Sequence, residues 1–412
     1  MQEVLEVYSH RFQVRPAQIE ELPHSNLDLV ITIPAYKEPD LLPTLGSLAQ
    51  CERTAGRVEI ILVINAPENS DEEVLACNDK VHGQVRCWEE KEMPDHLKIW
   101  VIREENLPYK HAGAGWARKI GMDEALRRWA LLDKDGPIIC LDADCTVSGD
   151  YLLAAKKAFE NPKVNLAHYQ FEHRIEAEKN PMLREGIIQY ELHLRTYIQG
   201  LRWAGYPFAV HTVGSCMVCR ASVYAKSGGM NRRKAGEDFY FIHKLMPLGG
   251  FVYLPAKVYP SCRISDRVPF GTGRAQLEYA ASNSRNPSSY AVEVYRILKK
   301  FFDLVPGWFQ QELVNIEFPP ELQGYLDEIG LAEKVMQMNN QSSERKIFEK
   351  RFWQWMDGFK VLKMTHYLRD QCCPNQAVYI SSQNVLELLG QEVFQEKDEL
   401  LYTFREMDKI LN

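Results

Sequence analysis

Over the first 160 positions, short unbroken apolar runs alternate with stretches whose apolar residues recur at helical spacing. Leu27-Asp28-Leu29-Val30-Ile31-Thr32-Ile33, closed by Pro34, reads as a strand buried on both faces, and 58–64, 97–102 and 138–141 repeat the pattern. Helices are predicted at 41–49, after Pro39 and Asp40, and at 115–132 and 151–159, with a further helix start at 71–77. The 65–96 stretch as a whole is acidic and polar, and is expected to hold a loop insertion. Four strand-and-helix alternations imply a parallel sheet with helices on its faces.

Beyond residue 160 the rhythm changes. Strands are predicted at 165–171, 213–218 and 251–254, with helices at 182–203 and 237–246. From 301 onward the pattern is helical, at 321–338, 343–364 and 391–410. The expected division is a lead-in over 1–26 with a short helix, an α/β domain over 27–300, and a C-terminal helical region over 301–412.

Composition narrows the class. The chain has 412 residues, 45% apolar and 25% charged, enough for a sizeable core without covalent staples. Lys plus Arg is 49 against 56 Asp plus Glu, and the net charge of −7 argues against a nucleic-acid partner. No run of eighteen apolar residues suggests a membrane span, and the first residues lack the apolar core of a secretion signal. Ten scattered cysteines, mostly within apolar runs, read as reduced buried thiols of a cytoplasmic protein. Cys216-Met-Val-Cys219 has no second pair to complete a zinc site, and Cys372-Cys373 is read the same way.

Ligands of parallel sheets sit beyond the carboxyl ends of the strands, so the polar residues there matter most. They are Tyr36-Lys37-Glu38, Asn65-Ala66, Arg103-Glu104-Glu105 and Asp142-Ala143-Asp144. Two carboxylates at the mouth of a sheet are costly unless a cation lies between them, and Mg²⁺ or Mn²⁺ bridging a diphosphate meets that need. The same pair also suits a solvated turn that caps the next helix. Gly236-Glu237-Asp238 opens an amphipathic helix; an acid there serves either as a general base or simply as a favourable charge at a helix N-terminus. Gly271-Thr272-Gly273-Arg274, flanked by Arg263, Arg267 and Arg285, suits a phosphate or a flexible loop.

In order and spacing these segments resemble inverting glycosyltransferases of family 2, which have the GT-A fold. Val30-Ile31-Thr32-Ile33-Pro34-Ala35-Tyr36-Lys37-Glu38 is similar to the family's opening strand and P-A-Y-N-E turn, and Glu59–Asn65 to its second strand. Gly113-Ala114-Gly115-Trp116-Ala117-Arg118-Lys119-Ile120-Gly121 resembles G-x-x-x-A-R-N-x-G, and Leu141-Asp142-Ala143-Asp144 the D-A-D motif. Gly228-Gly229-Met230 followed by Gly236-Glu237-Asp238 resembles G-G-F and G-E-D. The resemblance spans residues 27–285 and implies a Rossmann-like, mixed, mostly parallel sheet with flanking helices.

The resemblance also implies roles. Pro34, Ala35, Tyr36 and Glu38 would line a nucleoside pocket, with Asn65 facing base or ribose and Arg118 close by. Asp142 would touch ribose or sugar, Asp144 would hold the metal with Asp142, and Arg274 would join the donor site. Asp238, with Glu237 beside it, would deprotonate the acceptor. Three departures stand out. Asn65-Ala66 replaces the usual acid pair, Val258-Tyr259-Pro260 lacks the family's late His, and the Q-x-x-R-W of processive synthases is absent. A polymer-extruding synthase is therefore not expected.

Of the remaining singled-out residues, His211 reads as structural, while Trp203 and Tyr206-Pro207-Phe208 suit either a sugar platform or the core. Phe301-Phe302 and Trp308-Phe309, beside Lys299-Lys300, suit either packing or a membrane interface. The expected activity is metal-dependent transfer of a sugar from a nucleotide-sugar donor to a hydroxyl acceptor, with inversion and with Mn²⁺ or Mg²⁺ as cofactor. The acceptor classes are a saccharide, a lipid-linked acceptor or a small molecule. The expected location is the cytoplasm, with peripheral contact at the inner face of a membrane as an added option. Two alternatives stand beside this one: a sugar-phosphate nucleotidyltransferase, whose Gly-rich first loop is missing here, and a non-catalytic nucleotide-sugar-binding protein.

Overall fold

The structure is a computed structural model that describes the chain apart from residues 111, 283–285, 312–317 and 410–412. Arg285 and the last residue of the predicted 391–410 helix lie outside the described residues. The chain divides into two units. One comprises Met1–Leu183, Thr212–Glu278 and Asp408–Asn412; the other comprises Arg184–His211 and Tyr279–Met407.

The first unit is built on β1 (Leu27–Ala35), β2 (Arg57–Pro67), β3 (Leu97–Leu107), β4 (Pro137–Cys140), β5 (Thr146–Val147), β6 (Leu166–Phe171), β7 (Met217–Arg220) and β8 (Phe251–Tyr259). They form one sheet in the order β3-β2-β1-β4-β7-β6-β8-β5. β1, β2, β3 and β4 are mutually parallel, as the alternation predicts, and β7 turns the sheet by pairing antiparallel with β4 and β6. Leu29, Val30, Ile31 and Ile33 of β1 are fully buried, which explains why its sequence is an apolar run and not an alternation. The parallel register sets the carboxyl ends of β1, β2 and β4 side by side, with Ala35 opposite Ile64 and Thr32 opposite Cys140.

Among the described residues, nine α-helices begin in this unit: α1 (Gln2–Phe12), α2 (Leu42–Ala49), α3 (Glu72–Lys91), α4 (Ala114–Leu131), α5 (Tyr151–Phe159), α6 (Pro181–Trp203), α7 (Ala221–Lys226), α8 (Glu237–Leu245) and α9 (Thr272–Ala281). The helix start expected at 71–77 is present, and it runs on as the 20-residue α3 through most of the 65–96 stretch that was expected to hold a loop insertion. It buries Val74, Asn78, Val81, Val85 and Trp88, a single narrow stripe within an otherwise charged surface. The short strand expected at 213–218 begins later, because Gly214–Cys216 forms a 3₁₀ turn ahead of β7. In α4, Arg128 is fully buried and its Nε reaches Glu59 of β2 at 2.6 Å, which fixes the helix against the sheet. At the end of α1, Tyr8 donates to buried Asp123 of α4 at 2.5 Å, and Tyr224 of α7 donates to the same oxygen at 2.6 Å.

The second unit is helical, with α10 (Val292–Leu304), α11 (Gln323–Glu328), α12 (Leu331–Asn340), α13 (Arg345–Trp355), α14 (Gly358–Gln371), α15 (Val378–Leu388) and α16 (Lys397–Lys409). The single helix expected at 321–338 breaks at Gly330, where φ is +64°, a conformation open to glycine. The one expected at 343–364 breaks before Asp357, whose side chain caps α14 by accepting from the Lys360 N–H at 2.9 Å. The core holds Phe301, Phe302, Trp308 and Phe352, all buried, so the aromatic pairs considered for a membrane interface are committed here to packing. Tyr206 packs on Phe302 and Trp353 in the same core. Buried Glu191 accepts from Arg195 at 2.9 Å and from Arg405 at 2.7 Å. Among the described residues no helix is long and apolar enough to cross a membrane.

Candidate active site

Chemistry-bearing side chains gather at the carboxyl end of the β1–β2–β4 block. Arg118, near the start of α4, is 4% exposed and joins three segments. Its Nη2 donates to Asp142 at 2.5 Å, its Nε to Glu237 at 2.9 Å and its Nη1 to the Gly214 carbonyl at 3.2 Å. Burial opposes its charge, but Asp142 and Glu237 outweigh that and hold the guanidinium well above its usual range. The turn after β4, the start of α8 and the 3₁₀ turn before β7 are thereby tied to one cation.

Asp238 follows Glu237 and accepts from the Phe239 N–H at 2.7 Å. Burial first, and the neighbouring Glu237 second, push its carboxyl up to about 7. A Cβ on Gly214 would lie 3.0 Å from Asp238 Oδ2 and 2.6 Å from Arg118 Nη2, so only glycine leaves room for both groups.

Asp144 faces a different pair of cations. Its Oδ2 lies 3.3 Å from Arg263 and 3.2 Å from Arg267. The same guanidiniums hold Glu38, which is only 1% exposed: Arg263 Nη1 donates to it at 2.8 Å and Arg267 Nη1 at 2.7 Å, with Arg263 Nη2 also bonded. Arg267 Nη1 further donates to the Tyr36 carbonyl at 3.2 Å. Burial and the charge of Asp142 raise the Asp144 carboxyl above its ordinary value, against the pull of the two arginines. A cavity of about 330 Å³ opens beside Asp144 and Arg263, lined also by Thr44, Arg174 and Tyr259. Arg174 lies over the Tyr259 ring at 4.1 Å.

Ligand atoms of Asp142, Asp144 and Cys145 lie within 4.8 Å of one another. Burial holds the Cys145 thiol well above its usual range, so it stays protonated and the donor set is two carboxylates. That set fits a hard divalent cation such as Mg²⁺ or Mn²⁺, and such a cation would relieve the repulsion that raises Asp144.

Ala35 is buried, while Pro34 and Tyr36 are half-buried at the end of β1. Asn65 is 2% exposed, and its Oδ1 is buried with no hydrogen-bond partner. Arg274 stands apart from the residues above in its bonding: it is exposed and pairs with Glu278 on its own helix at 2.8 Å. His211 is buried.

Arg263 and Arg267, which the sequence offered only as flanks of a phosphate-binding or flexible loop, follow β8 in the segment where the late His is missing and reach Glu38 and Asp144. One contribution was not placed by sequence at all. Asn78 of α3 stitches the strand ends together. Its Nδ2 donates to the Asn65 carbonyl at 3.2 Å and to Glu105 at 3.1 Å, and its Oδ1 accepts from the Lys37 N–H at 3.2 Å. Its place in the Val74–Trp88 stripe marks it, once that stretch is recognised as a helix.

The first unit, a mostly parallel sheet with flanking helices that carries acids and arginines at its carboxyl end, has a GT-A-like architecture. Residues 30–228 match the family model described as "Glycosyl transferase family 2", and the chain carries a domain of that family. The protein is thus a glycosyltransferase. Among solved structures, it is similar to S. aureus TarS 1-349 in complex with UDP-GlcNAc (12% identity, 80% of this chain and 91% of that one, TM-score 0.41). It is also similar to GalNAc-T7 with UDP, GalNAc and Mn²⁺ (15%, 76% and 55%, TM-score 0.37). A third likeness is to the mannosyltransferase PcManGT from Pyrobaculum calidifontis in complex with GDP-Man and Mn²⁺ (14%, 88% and 90%, TM-score 0.35). No curated protein sequence matches the chain significantly.

Proposed function

We propose that the protein transfers a sugar from a nucleoside diphosphate donor to a hydroxyl acceptor with inversion, and that Asp238 is the general base. The observation that carries this reading is the Arg118 bridge from Asp142 to Glu237, which ties a diphosphate-side acid to the segment bearing Asp238. Asp238 has its oxygen beside Gly214, and a carboxyl raised to about 7 is well matched to accepting a hydroxyl proton near neutral pH. Glu237 acts by positioning: it holds Arg118 and raises its neighbour.

On the donor side, the unpaired Asn65 Oδ1 offers an acceptor to an N–H of the base, beside Pro34, Ala35 and Tyr36. Arg263 and Arg267, anchored by Glu38, keep further N–H groups for the diphosphate. Asp142 and Asp144 would hold Mn²⁺ or Mg²⁺, which when bound offsets charge on the departing diphosphate. Arg118, Arg263 and Arg267 stabilise the same charge from the protein side. Arg274, exposed and paired with Glu278, has no part in this reading.

Asp238→Asn is the test. It is expected to keep nucleotide binding and to lower release of nucleoside diphosphate by about 10²–10⁴-fold. Wild-type turnover in that variant would remove Asp238 from the mechanism.

A further inference from the structure

Directly ahead of Gly236-Glu237-Asp238 runs Asn231-Arg232-Arg233-Lys234-Ala235. Arg232, Arg233 and Lys234 are all exposed, and among the described residues none of them forms an ion pair. Three consecutive uncompensated cations are unusual in a chain of net charge −7.

Each cation is held by an aromatic face. Arg233 Cζ lies 3.7 Å from the centre of the Tyr240 ring, Lys234 Nζ 3.9 Å from Tyr109, and Arg232 Cζ 5.5 Å from Trp116. A ring covers one side of a cation and leaves the other open to an anion. Tyr109 is itself 68% exposed, so this ring and its lysine stand at the surface.

The loop backbone is fixed. Asn231 Nδ2 donates to the Glu237 carbonyl at 2.9 Å, and Gly236 turns the chain at φ +70°. A Cβ on Gly115 would lie 2.3 Å from the Arg233 carbonyl, and one on Gly113 2.7 Å from that of Lys234, so the start of α4 seats the loop closely. The cations are therefore preorganised next to the segment that carries the base, while the diphosphate has its own arginines at Glu38 and Asp144.

We infer that the acceptor is an anion: a hydroxyl compound bearing phosphate beside the reacting hydroxyl, with Arg232, Arg233 and Lys234 as its phosphate-binding residues. This rests on the reading of Asp238 as the base. Phosphate is the group that best uses two guanidiniums and an ammonium at one rim. It would come from a soluble phosphorylated polyol or sugar, or from a lipid headgroup.

The test is direct binding, which needs no turnover. Glycerol 3-phosphate is compared with glycerol by ligand-observed NMR, and phosphatidylglycerol vesicles with phosphatidylcholine vesicles by sedimentation. Binding of the anionic member of either pair, weakening as salt rises, is expected. The first pair reports a soluble acceptor and the second a headgroup. Arg232→Ala/Arg233→Ala/Lys234→Ala is expected to weaken that binding by about tenfold. Arg233→Gln/Lys234→Gln removes charge but keeps side-chain cover on the rings, and is expected to weaken it in the same direction. Equal binding of the neutral members, no binding of either anion, or undiminished binding in both variants would overturn the inference. Nucleotide binding is followed separately. Its absence, with phosphate binding intact, would count against the transferase reading and leave the basic site standing.

Discussion

Asp238 and Glu237 are adjacent in sequence but differ in their partners, because Arg118 takes one of them, and the proposed division of labour follows from that. Glu237 is bonded to the guanidinium at 2.9 Å, whereas Asp238 is left with a backbone N–H at 2.7 Å and a carboxyl raised to about 7. A base with a raised pKa is protonated, and idle, below that value. The rate of transfer is therefore expected to fall on the acid side with an apparent pKa near 7, read from kcat/KM against pH. Glu237→Gln keeps a partner for Arg118 but removes the charge that raises Asp238. It should move this limb to lower pH by about half a unit to one unit; a limb that does not move would contradict the assignment. Gly214→Ala should lower turnover by about 100-fold by displacing Arg118 or Asp238, and should lower the melting temperature as well, because the displaced guanidinium is buried and ion-paired. The acids of this site were legible in the sequence because each follows a strand or opens a helix. The splitting of their roles was not, because it depends on a guanidinium more than a hundred residues from Glu237 in the chain.

At the level of elements, β1 to β4 were legible because burial on both faces writes itself as unbroken apolar runs, as in β1 and β2, whereas the two-residue β5 was not. Helix α3 was legible only at its start, expected at 71–77; the rest was not, since its stripe of Val74, Asn78, Val81, Val85 and Trp88 is narrow, and charged residues fill the remainder. With it went Asn78, which joins the ends of β1, β2 and β3. Helices α11 to α14 and α16 were recognised by period, but α15 was not, and neither were the breaks at Gly330 and Asp357, because an amphipathic pattern runs on through a turn that keeps phase. Helix α1 is bonded into the first unit by Tyr8, whose hydroxyl serves a buried carboxylate. Tyr8→Phe removes that donor and should cost about 1–3 kcal/mol of stability in urea unfolding. An unchanged midpoint would mean that Tyr224 and Lys119 satisfy Asp123 without it.

Across the whole molecule, the family resemblance lies within the first 285 residues, and the family match covers 30–228. The second unit is held by its own core, with Trp308 and Phe301 fully buried and Glu191 held by two arginines. The central claim is that the first unit binds the diphosphate of a nucleotide sugar with a divalent cation at Asp142 and Asp144. Thermal stability measured with a panel of nucleoside diphosphates, each with and without Mn²⁺, tests it most directly. The account predicts a Mn²⁺-dependent rise with at least one base, about 2.7 kcal/mol at 100 times the dissociation constant, that is lost in Asp144→Asn. No shift with any nucleoside diphosphate in folded protein, or a full Mn²⁺-dependent shift in Asp144→Asn, would contradict it.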